Sequence, residues 1–161
     1  MASIRIPVQK RSIEKRDNII KKGFELMCNK GYYNISTPDI AKEANVSTGI
    51  IYQYFNDKKD IFMEGVKQYS NNIMFPMLNT LYENKITKEN LESILTNVIE
   101  KFIKNHTISK KAHEELLAMS HLDEDVASIF KENEIQITKK VVTILEENNF
   151  NIPNLNEKVH I

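Results

Sequence analysis

The sequence predicts an all-α protein. Apolar residues recur at three-, four- and seven-residue spacings along most of the chain, and the two-residue alternation that is typical of strands is scarce. Gly and Pro number only four each. With 161 residues, 41% of them hydrophobic, the chain is long enough for one domain or two small ones and apolar enough to form a core. These values exclude global disorder.

The first predicted helix covers residues 12–29. Its apolar residues Ile13, Ile20, Phe24 and Met27 recur at helical spacings, and Gly31 follows as a stop signal. Two short helices are predicted next, over 37–44 and from Ser47 to about Phe55. The first of them begins with Ser36-Thr37-Pro38-Asp39, which combines a capping residue, a proline at the first helical position and an acidic first turn. Asn45 separates the two, since asparagine tolerates the left-handed backbone.

Longer helices fill the rest of the chain. A fourth begins near Lys58 after the capping pair Asn56-Asp57, and we expect Pro76 to kink or end it near residue 75. A fifth follows Thr87. Its apolar stripe comprises Leu91, Ile94, Leu95, Val98, Ile99, Phe102 and Ile103. A sixth covers about 110–120 after Ser109, and a seventh runs from Val126 through Ile144 to Asn148-Asn149 and Pro153. Residues 154–161 resemble the first turn of another helix.

The charge is distributed unevenly along the formally neutral chain. Residues 1–60 hold 11 basic and 7 acidic side chains, a net charge of +4, whereas residues 61–161 hold 11 and 15, a net charge of −4. This asymmetry favours a nucleic-acid-binding face on an otherwise acidic protein. The abundance of lysine, isoleucine and asparagine leaves an alternative open, because an AT-rich genome would produce it without any binding function.

The short helices 37–44 and 47–55 form a helix-turn-helix pattern. We expect Ile40, Ala41, Ala44, Val46, Ile51 and Phe55 to pack them together at a steep angle, with the small alanines allowing a close approach. Thr48, Gly49, Ile50 and Gln53 then lie on the outer side of the second helix, where they can enter a major groove.

The string from Thr37 to Phe62 resembles the DNA-binding signature of the tetracycline-repressor (TetR) family. Ile40-Ala41, Ala44, Val46-Ser47, Gly49, Tyr52, Tyr54-Phe55 and Lys58 stand in register with that signature. The sequence departs from it at Asn45, where glycine is usual, and at Ile50 and Ile61, where threonine and leucine are frequent. The resemblance covers residues 12–65, and beyond them only the helical layout agrees.

The resemblance and the residue chemistry together predict a DNA-binding site. Thr48 and Gln53 can hydrogen-bond to base edges, glutamine favouring adenine, and Ile50 can contact a thymine methyl group. Gly49 allows a close approach of the backbone to DNA, with a helix-packing glycine as the alternative. The resemblance implies phosphate contacts for Tyr52, Tyr54 and Lys58, and Tyr54 could equally be a core aromatic residue. Thr37 and Ser47 can hold phosphates or act as plain N-caps.

The remaining residues form an acidic helical body. The resemblance implies that this body dimerises, which suits a pseudo-palindromic operator, and that it binds a small apolar or amphipathic effector that releases the DNA. The fourth helix, with Pro76 as a possible hinge, is the expected transmitter. Aromatic and methionine side chains suit the effector pocket or an ordinary core. The candidates are Tyr69, Met74, Phe75, Met77, Phe102 and Met119.

The predicted organisation is a basic arm (1–11), a DNA-binding domain (12–60, motif 36–55) and a regulatory domain (61–161). The last of these is short for the family, and we expect it to lack the C-terminal dimerisation helices. Arg5, Lys10 and Arg11 could contact DNA from the arm, although a solvated tail is the favoured interpretation.

No catalytic motif, cofactor motif or membrane-spanning run is present in the sequence. We therefore expect a cytoplasmic protein that is not an enzyme and uses neither a cofactor nor a metal. His106, His113, His121 and His160 are too scattered for a shared metal site, and Cys28 is expected to be a small buried residue. The alternative function is an architectural or partner-controlled DNA-binding protein of the same fold, without an effector.

Overall fold

The computed structural model describes residues 7–83, 85–105 and 110–150, except for the side chains of residues 73–75, 77, 82 and 105. Within these ranges the chain forms eight α-helices and no strand, which confirms the predicted all-α class. The helices are α1 (Lys10–Lys30), α2 (Thr37–Glu43), α3 (Thr48–Tyr54), α4 (Lys58–Tyr69), α5 (Phe75–Tyr82), α6 (Leu91–Asn105), α7 (Lys110–Leu122) and α8 (Glu124–Glu147).

The helices divide between two compact units. The first combines Met1–Gln68 with Ile108–Ala127 and so contains α1 to α4, α7 and the first turn of α8. The second combines Tyr69–Thr107 with Ser128–Ile161. Helix α4 runs through residue 60, where the sequence predicted a domain boundary, and the first unit also takes in α7, which the sequence assigned to the regulatory domain.

The predicted helix ends in the first unit are confirmed by local hydrogen bonds. Gly31 ends α1 with φ +95°, and its N–H donates to the carbonyl of Met27 at 2.9 Å. Asn45 adopts the left-handed backbone, with φ +54°. Asp57 caps α4, because its Oδ1 accepts the N–H groups of residues 59 and 60. Helix α2 begins at Thr37, so Pro38 occupies its second position and not the first.

The core of the first unit is built from the apolar faces that the sequence predicted. Ile40, Ala41 and Ala44 of the α2 segment are buried, as are Ile51 and Phe55 at the end of α3, whereas Val46 is half-buried. Helices α1 and α4 add further members of this core, among them Ile19, Ile20, Phe24, Met27, Ile61, Phe62 and Val66. Burial of each large side chain contributes about 1.5–3 kcal/mol.

The fourth predicted helix is interrupted earlier than expected. A π-helical segment, Ser70–Met74, separates α4 from α5, and Pro76 lies in the first turn of α5. A proline ring clashes with the carbonyl four residues before it, which here belongs to Asn72. The wider π-helical turn around Asn72 relieves that clash, so the irregularity precedes the proline and the helix resumes through it.

The second unit has a core of Leu78, Leu81, Ile86, Ile94, Val98 and Ile144. Helix α6 presents only part of its predicted stripe to this core, because Leu95, Ile99 and Ile103 remain exposed. Asn148 and Asn149 end the region after α8 as predicted, Asn149 with φ +62°. Ser109, Pro153 and residues 154–161 lie outside the described residues. Among the helices that the structure describes, none is long and apolar enough to cross a membrane.

Candidate DNA interface

The outer face of α3 is the candidate reading surface. Gly49, Tyr52 and Gln53 are exposed, and Thr48 and Ile50 are half-buried at its edges. Their placement follows from the helical period, because Ile51 is fully buried and fixes which side of the seven-residue helix faces the core. A helix with one side packed and the other bearing hydroxyl, amide and phenol groups can lie in a major groove.

Gly49 has open space on its outer side. A Cβ atom built at this position would meet only the Ser47 hydroxyl, at 3.8 Å. This excludes the alternative that Gly49 exists for helix packing. By contrast, a Cβ at Gly65 would lie 2.4 Å from the Phe24 ring, so Gly65 is the packing glycine of α4.

Two hydroxyl groups flank the helix-turn-helix segment. Ser36 is the N-cap of α2, and the Asp39 carboxylate accepts hydrogen bonds from both its N–H and its hydroxyl. These bonds lower the pKa of Asp39. Because Ser36 fills the capping role, the N-cap alternative does not apply to Thr37, which is the first helical residue. Ser47 is the N-cap residue of α3 but its exposed hydroxyl makes no capping bond, so that group can face a phosphate.

The structure corrects the prediction for Tyr54. Its side chain is 6% exposed and its ring lies against Phe55, with the ring centroids 6.4 Å apart. The position is three residues after Ile51, so Tyr54 points into the core with it. The core-aromatic alternative therefore describes Tyr54, and Tyr52 remains as the exposed tyrosine of this helix.

The structure also gives Lys58 a different role from a free phosphate contact. Its Nζ donates to the carbonyls of Tyr32 and Ile35, both at 2.8 Å, and lies 4.4 Å from the centroid of the Tyr32 ring. Burial lowers the pKa of Lys58, an effect that the Asp57 carboxylate opposes. The ammonium thus holds the loop between α1 and α2. Sequence reasoning missed this role, because the carbonyl partners lie 23 and 26 residues away.

The positive residues at the N-terminus lie partly on α1. Lys10 and Arg11 are exposed in its first turn, so they do not belong to an arm that precedes the helix. Arg5 lies outside the described residues. Arg16 is occupied by Glu64 at 2.7 Å and by the Phe55 ring at 5.2 Å, and it therefore fastens α1 to α4.

The predicted effector-pocket residues do not share one unit. Tyr69 and Phe102 are half-buried in the second unit, and burial raises the pKa of Tyr69. Met119 belongs to the first unit, where it is 1% exposed and part of the core. The side chains of Met74, Phe75 and Met77 lie outside the described residues.

The remaining candidate residues are the single cysteine and the four histidines. Cys28 is buried as predicted, and its pKa is raised to about 12, chiefly by desolvation and secondarily by the Glu115 carboxylate. His113 and His121 are exposed, whereas His106 and His160 lie outside the described residues. In the described parts of the chain, no group of three or more His, Cys, Asp or Glu residues could hold a metal ion.

Comparison with protein families finds a match over the helix-turn-helix segment. A family described as "Bacterial regulatory proteins, tetR family" matches residues 19–64. The HTH-type transcriptional regulator HbdR of Aromatoleum sp. (strain CIB) is 48% identical over 54 residues, which are 34% of this chain and 24% of HbdR. The matched part of this chain therefore spans about a quarter of the length of HbdR.

Longer similarities extend into the second unit. The biofilm operon icaADBC HTH-type negative transcriptional regulator IcaR of Staphylococcus aureus is 26% identical over 138 residues, covering 78% of this chain and 74% of IcaR. A transcriptional regulator from Saccharomonospora viridis, solved in complex with choline, has a similar fold with a TM-score of 0.67. That match covers 91% of this chain and 78% of the other at 16% identity.

Proposed function

We propose that this chain, whose residues 19–64 match the tetR family of bacterial regulatory proteins, is a repressor that binds a pseudo-palindromic operator as a dimer. In this proposal a small effector releases the DNA. Its homologues are transcriptional regulators, one of them a negative regulator. The proposal adds the operator symmetry, the dimer and the effector to that family assignment.

The observation that carries the proposal is the division of α3 into two faces. Ile51, Tyr54 and Phe55 anchor the helix in the core, so its outer face belongs to a packed helix and not to a loop. Gln53 supplies a base-reading amide, Ile50 an apolar contact for a thymine methyl group, and Gly49 a close approach. In this proposal Tyr52, Ser47 and Thr37 hold phosphates, and such contacts position a helix without reading sequence.

The short length of α3 supports a dimer as the DNA-binding form. A single seven-residue helix reads only a few base pairs, which is too little for a specific site in a genome. Two copies related by a two-fold axis present two such helices about 34–36 Å apart, and the preferred DNA is then a pseudo-palindrome. The two-fold arrangement also makes the DNA affinity sensitive to any change in the spacing of the helices.

The effector in this proposal is small and apolar or amphipathic. The Saccharomonospora viridis regulator was solved with choline, a quaternary ammonium compound that aromatic rings recognise. Tyr69 and Phe102 are half-buried aromatic residues of the second unit and are the candidates for such contacts here. Effector binding would lower DNA affinity by its differential affinity for the two states.

Selection of DNA from a random pool tests this function. We expect the wild-type chain to enrich a pseudo-palindrome with fixed half-site spacing, and Gln53→Ala to relax the preference at one base pair per half-site, by about 1–3 kcal/mol. Each expected result requires salt to be held constant. Enrichment of no sequence would contradict the proposal, and a selected operator that no small molecule releases would favour the effector-independent alternative.

A further inference from the structure

We infer that α7 braces the two helices of the helix-turn-helix segment, α2 and α3, so that the orientation of α3 depends on contacts made by α7 and by its junction with α8. This inference rests on the proposed function and names how that same interface is positioned. Helix α7 is part of the first unit although it follows α4 by 40 residues in the chain. Its buried residues there are Ala112, Leu116 and Met119.

The first contact of the brace is made by Glu115. Its Oε1 accepts the backbone N–H of Tyr32 at 2.6 Å, at the start of the 3₁₀ turn that links α1 to α2. A carboxylate that accepts a backbone N–H forms a charge-assisted hydrogen bond, which is roughly twice as strong as a neutral one. Glu115 thereby fixes the position of the Tyr32 peptide group from outside the helix-turn-helix segment.

The contact continues from Tyr32 to the start of α2. The carbonyl of Tyr32 accepts from Lys58 Nζ, and the same ammonium reaches the carbonyl of Ile35, two residues before α2 begins. The sequence of contacts is thus Glu115, Tyr32, Lys58 and Ile35. Because α3 follows α2 after a tight turn at Asn45, a shift at Tyr32 moves both α2 and α3.

A second tie joins the start of α4 to the α7–α8 junction. Lys59 Nζ lies 2.7 Å from Asp123 Oδ2 and 2.6 Å from Asp125 Oδ2. The other oxygen of Asp123 accepts the N–H groups of residues 125 and 126, at 3.0 and 3.1 Å, and so caps α8. One carboxylate therefore both begins α8 and holds the first turn of α4.

Two helices of the first unit, α4 and α8, reach its boundary along the chain. The sequence predicted α4 as the transmitter, and α4 does run to the edge of the first unit at Gln68. However, α8 also begins in the first unit and continues in the second, which it enters at Ser128. Within the first unit, a displacement of Asp123 or Asp125 would act on Lys59 and thereby on the start of α4.

The test compares Glu115→Ala with Glu115→Gln, which keeps an oxygen acceptor for the Tyr32 N–H. We expect Glu115→Ala to lower operator affinity roughly tenfold while affinity for non-operator DNA of the same length stays unchanged, because phosphate contacts tolerate a tilted helix. Glu115→Gln should restore operator affinity to within about threefold of the wild type. An equal loss on both DNAs would indicate reduced folding alone and would overturn the brace, as would no loss at all.

Amide hydrogen exchange of the DNA-free protein keeps this test separate from the proposed function. We expect Glu115→Ala to speed exchange in residues 37–54, with Glu115→Gln close to the wild type. Unchanged exchange in Glu115→Ala would overturn the brace whatever the DNA preference. If the wild-type chain selects no operator but this exchange difference is present, the brace stands and only the proposed function fails.

Discussion

The two faces of α3 place neighbouring residues of one sequence motif in opposite surroundings. Tyr52 is 54% exposed, whereas Tyr54, two residues later, is 6% exposed in the core. Gly49 faces open space on the outer side, and Lys58, just beyond the helix, donates to two backbone carbonyls. Agreement with a motif therefore does not separate residues that contact DNA from residues that hold the DNA-contacting helix in place.

The largest expected effect separates the two tyrosines. Tyr54→Ala should lower the free energy of unfolding by about 3 kcal/mol, because it leaves a cavity in the core. Tyr52→Ala should change it by less than about 0.5 kcal/mol and should instead weaken binding to all DNA sequences. Urea unfolding and a DNA titration measure the two quantities. Equal stability losses in both variants would remove the distinction between the faces.

Most of the first unit could be predicted from the sequence because its signals are local. Gly31, Asn45 and Asp57 mark helix ends through backbone conformation or capping that depend on one or two residues. The burial of Tyr54 also follows from the helical spacing in the sequence, since it stands three residues after Ile51, which defines the inner face of the helix.

The parts that could not be predicted depend on distant residues. Glu115 meets Tyr32 across 83 positions and Lys59 meets Asp125 across 66, and neither pairing leaves a periodic pattern in the sequence. The clash of a proline ring inside a helix can be relieved in several ways, and the sequence does not specify that a π-helical segment before Pro76 relieves it here. Helix α7 belongs to the first unit through such contacts between distant residues. Because these contacts leave no sign in the sequence, α7 was predicted to be part of the regulatory domain.

Lys58 gives the second expected effect. Lys58→Met should lower the free energy of unfolding by about 1–3 kcal/mol, because two carbonyls lose a charged donor in a half-buried site. The slope of log affinity against log salt should stay as in the wild type. A free phosphate contact, as the family resemblance implies, would instead reduce that slope by about one unit.

Lys42→Met is the matched control for this change, since it removes one charge from an exposed position of α2. Its free energy of unfolding should stay within about 0.5 kcal/mol of the wild type. A slope change in Lys58→Met without a loss of stability would return Lys58 to the DNA-contacting residues and contradict its role in holding the loop.

The smallest expected effect is that of Gly49→Ala, which should stabilise the fold but weaken operator binding. Gly49→Ala should raise the free energy of unfolding by about 0.5–1 kcal/mol, because alanine is the better helix former and open space surrounds the new methyl group. The same methyl group would stand between α3 and the groove, so operator affinity should fall. Gly65→Ala is the counterpart, and its Cβ at 2.4 Å from the Phe24 ring should cost about 1–3 kcal/mol. A more stable Gly49→Ala that binds the operator as tightly as the wild type would show that the backbone does not approach DNA at this glycine.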